Sequence, residues 1–96
     1  MENLTQQQIA DNINWLGQVK NIYNVGPYQF VEYYEKGVNK NELTGRVLYT
    51  SYYNGESLSR SYYSIESCMA GTIAYVKDGI NSKAGDYFMR MINVEN

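Results

Sequence analysis

The stretch "RVLYTSYYNGESLSRSYYS", from Arg46 to Ser64, contains five tyrosines, five serines and one Asn-Gly pair in nineteen residues. Asn54-Gly55 lies between two runs of residues that favour strands. It predicts a two-residue type I′ turn, because both central positions of that turn need a positive φ. We therefore predict one strand from Arg46 to Tyr53 and another from Glu56 to Tyr63.

A two-residue turn also fixes which residues face each other across the predicted hairpin. The predicted pairs are Tyr53 with Glu56, Ser51 with Leu58, Tyr49 with Arg60, and Val47 with Tyr62. This face holds most of the apolar area, so we expect it to pack on helices and to place Tyr49 and Tyr62 in the core. The opposite face is expected to meet water and to expose Tyr52 and Tyr63.

Upstream of the hairpin, the sequence predicts a helix and then a strand. Thr5 and Gln8 have the spacing of a capping box, and apolar residues recur at helical spacing as far as Tyr23. We predict a helix from Thr5 to Tyr23 that ends at Gly26-Pro27. The aromatic, β-branched run from Tyr28 to Lys36 predicts a strand.

Downstream of the hairpin, Ser64 can cap a second helix, predicted from Ile65 to Asp78. The tail from Gly85 to Val94 alternates as a strand would, and a helix stays open there. The predicted order is α-β-β-β-α-β over a single α+β domain of residues 1–96. We expect an antiparallel β-sheet of three or four strands with two helices packed on one face.

Composition argues against catalysis. The 96 residues include no histidine, so the side chain most often used for proton transfer and metal binding is missing. The single cysteine, Cys68, lies on the apolar side of a predicted helix and is expected to be inert. We find no nucleotide-binding or hydrolase motif. We therefore expect no enzyme activity, no metal and no cofactor.

Charge, hydropathy and cysteine content indicate which partners and which cellular compartment to expect. The formal net charge is −2, and the eight basic residues are scattered, which disfavours direct binding to duplex DNA. No apolar run is long enough to cross a membrane, so no membrane partner is expected. A lone cysteine and the absence of a signal peptide predict a cytoplasmic protein.

The segment "LTQQQIADNIN", from Leu4 to Asn14, resembles the first helix of a helix-turn-helix domain. That resemblance implies a DNA-binding regulator that uses the N-terminal helix. The ten residues that follow contain one lysine and no arginine, which is a poor recognition helix. An amphipathic core helix explains the same pattern, and DNA binding stays as an alternative.

Tyrosine and serine together with Asn and Gly are the mixture that antibody loops use to contact proteins. Stacking of nucleic-acid bases would need more positive charge than the hairpin carries. We therefore predict a protein or a ribonucleoprotein complex as partner. The predicted contact residues are Tyr52, Tyr53, Asn54, Arg60 and Tyr63, extended by Tyr33 and Tyr34.

Small size, element order, missing catalytic groups and an Asn/Tyr/Lys bias are similar to those of small phage or mobile-element proteins that inhibit bacterial defences, including anti-CRISPR proteins. The resemblance is at the level of the class and implies inhibition by occlusion of a macromolecular surface. Two further alternatives stay open. One is a protein that sequesters a small nucleotide-like ligand between tyrosines, and the other is a homodimer or larger oligomer with a structural role.

Overall fold

The computed structural model describes residues 3–39, 42–58 and 60–78, and it confirms an α+β fold with an antiparallel sheet. The four strands follow one another in the sheet in the order β1-β2-β3-β4. The elements are α1 (Gln6–Ile13), β1 (Gly17–Val25), β2 (Tyr28–Lys36), β3 (Leu43–Tyr53), β4 (Glu56–Ser57) and α2 (Ile65–Asp78). Their order is α-β-β-β-β-α, which has one strand more than predicted, β1, between the first helix and the strand that begins at Tyr28.

The first helix is much shorter than predicted. Its start is confirmed, since the Thr5 side chain accepts a hydrogen bond from the Gln8 amide and the Gln8 side chain accepts one from the Thr5 amide. The helix ends at Ile13, and Lys36 donates a 2.6 Å hydrogen bond from Nζ to the exposed carbonyl oxygen of Asn14. A cation at this end also offsets the helix dipole.

A β-bulge explains why β1 looked helical in sequence. The register with β2 shifts between Val19 and Asn21, which leaves Lys20 as the extra residue. Val19 pairs with Tyr33, and Ile22 pairs with Val31. The bulge therefore places two residues that are three apart on one face of a strand, which is the spacing that one face of a helix would show.

Glycine at position 17 lets β1 begin close to β2. A Cβ atom there would overlap the carbonyl oxygen of Tyr34 and would lie 2.7 Å from Cδ2 of Tyr33. Only a residue without a side chain fits this approach. The chain can therefore turn directly from the end of α1 into an edge strand.

The hairpin turn and the strand before it are confirmed. Asn54 has φ 51° and Gly55 has φ 82°, as a type I′ turn requires. Tyr53 pairs with Glu56, and the Leu58 amide donates to the carbonyl of Ser51. The predicted strand from Tyr28 to Lys36 is also confirmed as β2.

Beyond Leu58 the predicted register was wrong. Tyr49 exchanges both backbone hydrogen bonds with Tyr62 and not with Arg60, so two extra residues lie on the β4 side. The backbone carbonyl of Arg60, in the segment between β4 and Tyr62, accepts a 2.7 Å hydrogen bond from the Thr50 hydroxyl. The predicted strand from Glu56 to Tyr63 is thus reduced to two residues and an isolated bridge.

Each face of the sheet carries one helix, and the expectation of both helices on one face was wrong. The core beneath α1 consists of Ile9, Ile13, Val31, Tyr33, Leu48 and Tyr52. Ser51, which alternates with these residues along β3, forms a 2.6 Å hydrogen bond with Thr72 of α2. Alternate residues of a strand point to opposite faces. We call these the α1 face and the α2 face.

Gln29 fastens the chain before α1 to the sheet. Its side-chain amide accepts from the Leu4 amide at 2.9 Å and donates to the Leu4 carbonyl at 2.8 Å. It also donates to Asn24 at 3.0 Å. Because Gln29 is buried, these bonds satisfy polar atoms that water does not reach.

The second helix has the predicted bounds, Ile65–Asp78. Ser64 accepts a hydrogen bond from the Ser67 amide, which confirms the predicted cap. The predicted strand from Gly85 to Val94 lies outside the described residues. Within the described ranges, no helix is both long enough and apolar enough to cross a membrane.

Candidate functional site

A cleft of about 490 Å³ opens on the α1 face, between the end of α1 and the chain that follows β4. Thr50 and Tyr52 of β3 line it from the sheet, and Trp15 lines it from the turn after α1. Arg60 and Ser61 line it from the other side. The cleft exists because α1 stops at Ile13 and packs toward β1, while β4 ends after two residues.

A second cleft of about 430 Å³ adjoins the first and shares Trp15, Leu16 and Ser61 with it. Its other lining residues include Leu48 of β3 and Val38 of the β2–β3 connection. We call the two clefts together the Trp15 groove. From Leu48 to Tyr52 the strand advances about 13 Å, which sets a minimum length for the groove.

The polar groups on the floor of the Trp15 groove are bonded to one another. The Tyr33 hydroxyl lies 2.8 Å from Oγ of Ser61, and the Tyr52 hydroxyl is hydrogen-bonded by the Asn12 side chain. Burial raises the pKa of both tyrosines. The floor is therefore neutral near pH 7 and is held by internal hydrogen bonds.

Two arginine–tyrosine pairs flank β4. The guanidinium carbon of Arg46 lies 5.1 Å from the ring centre of Tyr63, and that of Arg60 lies 5.1 Å from the ring centre of Tyr75. These distances fall within the range of cation–π contacts. Tyr63 is 78% exposed and Trp15 is 62% exposed, so both present most of their ring area to solvent.

Two of the predicted contact residues are buried. Tyr52 is 2% exposed and Tyr33 is 1% exposed, since both belong to the core beneath α1. The expectation that Tyr52 faces water was wrong, because the face chosen as polar is the one that α1 covers. These two rings shape the floor of the Trp15 groove and offer a partner little area of their own.

The other predicted residues keep part of their surface. Tyr53 is half-buried against the Tyr28 ring, with ring centres 5.0 Å apart. Tyr34 is half-buried beneath the Lys20 ammonium group, and the Asn54 amide donates to the Pro27 carbonyl. Arg60 and Tyr63 are exposed, as expected.

Sequence reasoning missed three residues that the structure brings to this surface. Trp15 falls within the predicted first helix, Arg46 begins a predicted strand, and Tyr75 falls within the predicted second helix, and none of them is among the predicted contact residues. Of these three residues, only Trp15 could have been found from the sequence. Gly17 follows it closely, and glycine weakens a helix, so the first helix could have been predicted to end near Trp15. The arginine pairings depend on tertiary contacts between the β4 connection, β3 and α2.

A polar cluster on the α2 face has a structural role. Glu32 accepts a 2.6 Å hydrogen bond from the Tyr49 hydroxyl and a 2.8 Å bond from Asn21, and Lys20 lies 3.7 Å away. Hydrogen bonding by Tyr49, then by Asn21, lowers the pKa of Glu32. The same bond to Glu32 raises the pKa of Tyr49 to about 12.

Cys68 is buried beneath α2, and desolvation raises the pKa of its thiol to about 11. A thiol in this state is a poor nucleophile. In the part of the chain that the structure describes, no group of three or more acidic, cysteine or histidine side chains could hold a metal ion.

No protein-family model, no curated protein and no solved structure matches this chain.

Proposed function

We propose that this protein is a small non-enzymatic binding protein whose partner is another protein or a ribonucleoprotein complex. The contact surface is the Trp15 groove together with Tyr63, which follows the lining residue Ser61 by two positions, and its anchors are Trp15 and Tyr63. The observation that carries the proposal is the exposure of these two rings beside two stacked arginines. Tryptophan, tyrosine and arginine are the residues that dominate binding energy in protein interfaces.

The geometry favours binding through the rim. Stacking on Tyr63 holds the Arg46 side chain, so less rotamer entropy is lost when a partner contacts the guanidinium group. The floor beneath is packed and its hydroxyls are bonded internally. A rigid floor with exposed aromatic anchors suits a partner that covers the surface and does not require this protein to change shape.

Inhibition by occlusion is the mode of action that this surface supports. A domain of this size can block a functional surface on a larger complex without any chemistry of its own. The proposal extends to an anti-CRISPR-like inhibitor of a bacterial defence system, encoded by a phage or mobile element and acting in the cytoplasm. Its support is the class-level resemblance in size, composition and lack of catalytic motifs.

A nucleotide-like small ligand is a second candidate, favoured by the cleft of about 490 Å³ beside Trp15. Ligand pockets commonly have volumes of about 300–1,000 Å³. The DNA-binding alternative has less support. Residues Gly17–Val25, where a second helix would be needed, form β1, and α1 contains no lysine or arginine.

Affinity capture from the organism that encodes the protein tests the proposed function. Wild-type protein should retain a specific partner, and Trp15→Ala and Tyr63→Ala should each lose most of it. Tyr23→Ala is the matched control, because Tyr23 is also an exposed tyrosine but lies on β1, away from the Trp15 groove. Equal capture by all four proteins, each checked for folding by circular dichroism, would contradict the proposal.

A further inference from the structure

We infer that the Trp15 groove receives an extended acidic segment of the protein partner, with a carboxylate at Arg60 and an apolar or aromatic side chain beside Trp15. The inference rests on the proposed function and specifies the chemistry of the partner. The charge of the groove, its length and the hydrogen bonding of its floor support it.

The charge around the groove is opposite in sign to that of the chain. Arg60 and Lys36 line the groove, and Arg46 lies 3.7 Å from Glu35, which lines the second cleft. Among the described residues that line the two clefts, Glu35 is the one carboxylate. The described lining residues thus carry two cations and one carboxylate, which is itself paired with Arg46, in a chain whose formal net charge is −2.

Of the three cations, Arg60 is the one whose side chain is most accessible to a charged ligand. Glu35 lies 3.7 Å from Arg46 and accepts a hydrogen bond from Thr44, so its charge is already offset. Lys36 is held on the end of α1. Arg60 is exposed, stacks on Tyr75 and forms no ion pair with any described carboxylate. A cation–π contact uses none of the guanidinium N–H donors, so they can still bind a carboxylate.

The length of the groove favours an extended chain over a compact ligand. The two clefts share Trp15, Leu16 and Ser61, and the floor from Leu48 to Tyr52 alone spans about 13 Å. About four residues of extended peptide cover that distance. The floor hydroxyls of Tyr33 and Thr50 are bonded within the protein. A small polar ligand would therefore find few free groups to recognise it, whereas a peptide can draw its affinity from the rim.

Selection from a phage-displayed library of random peptides tests the inference without knowledge of the partner. Wild-type protein and Arg60→Glu are panned in parallel, with Arg60→Gln as a second variant. Wild-type protein should enrich peptides that combine Asp or Glu with an aromatic or large apolar residue. Arg60→Glu should weaken binding of those peptides by at least about tenfold, which corresponds to 1.4 kcal/mol.

Trp15 is the single tryptophan of the chain, so its fluorescence reports on the groove directly. Enriched peptides should shift its emission in a saturable manner, and the same peptides with Lys in place of each acidic residue should not. The inference is overturned if no acidic motif is enriched, if enriched peptides leave Trp15 emission unchanged, or if Arg60→Glu enriches the same motif.

ATP serves as the probe for the rival ligand class. Saturable quenching of Trp15 by ATP, with no enrichment of acidic peptides, would overturn the inference in favour of a nucleotide site. A different result would contradict the proposed function: partner capture that is unchanged in Trp15→Ala and Tyr63→Ala. Capture that depends on both residues, without an acidic motif, would keep the protein-binding function and reject the acidic segment.

Discussion

The Tyr49 hydroxyl donates a 2.6 Å hydrogen bond to Oε2 of Glu32 across the β2–β3 pair. Glu32 is buried, and its other oxygen accepts from Asn21, so the carboxylate is surrounded by donors. The bond favours ionised Glu32 and neutral Tyr49. It therefore stabilises the sheet between the pH at which the carboxylate gains its proton and the pH at which the phenol loses its own.

This bond predicts how stability depends on pH. The lowered pKa of Glu32 means that its contribution is present above the ordinary value of 4.5 and is lost as pH falls through the lowered value. The raised pKa of Tyr49 means that its contribution is present below 10.0 and is lost as pH rises toward about 12. Urea unfolding should show both losses in wild-type protein.

Tyr49→Phe isolates the bond. We expect about 1–3 kcal/mol lower free energy of unfolding at pH 7, since a charge-assisted hydrogen bond is lost. The dependence on pH should flatten in both windows. Tyr63→Phe, at an exposed position that does not contribute to the pKa of Tyr49, should behave as wild type. Equal pH profiles for Tyr49→Phe and wild type would show that the Glu32 bond contributes nothing.

Gly17→Ala should be severely destabilising, because the new Cβ would overlap the Tyr34 backbone and crowd the Tyr33 ring. We expect a loss of about 2–3 kcal/mol or more, as for other overpacked positions. Gly37→Ala is the matched control, since its Cβ would lie 3.4 Å from Cγ2 of Thr44 and no closer to any other atom. Urea denaturation of both variants measures the difference. Similar stabilities would contradict the close approach of β1 to β2.

Gln29→Leu should release the segment before α1. The variant leaves the Leu4 amide and carbonyl without their partner, and we expect a loss of about 1–3 kcal/mol. Gln18→Leu, on an exposed position of β1, should change stability by less than about 0.5 kcal/mol. Thermal unfolding of the two variants compares them. A larger effect at position 18 would be the opposite of what the buried amide predicts.

Tyr63 provides a graded test of the aromatic anchor. Tyr63→Phe keeps the ring that stacks on Arg46, and it should keep partner affinity within about twofold. Tyr63→Ala removes the ring and should weaken binding by about tenfold or more. Both should leave unfolding unchanged, because the side chain is exposed. Surface plasmon resonance with the captured partner gives the affinities. Equal affinities for Phe and Ala would show that the ring is not an anchor.

The sequence predicted those elements whose signals are local. Asn54-Gly55 determines its own backbone conformation, and Ser64 determines where α2 begins. The failure at β1 came from a bulge at Lys20, which places Val19 and Ile22 on one face as a helix would. Hydrophobic spacing alone does not separate these two structures.

The candidate site was predicted in part. Tyr63 and Arg60 are exposed as expected, whereas Tyr52 was placed on the wrong face. Apolar content favoured the face with Val47 and Tyr49, but α1 covers the face with Leu48 and Tyr52. A tyrosine can be buried there because Asn12 satisfies its hydroxyl. Trp15 entered the site only because α1 ends early, which the helical spacing concealed.

Site-specific photocrosslinking in the native host tests the central claim most directly. p-Benzoylphenylalanine replaces Tyr63 in one protein and Tyr23 in another, and crosslinked products are identified by mass spectrometry. We predict one specific protein crosslinked from position 63 and little or none from position 23. Crosslinking of a partner from position 23 alone, or no protein crosslinked from position 63, would contradict the assignment of the Trp15 groove as the binding surface.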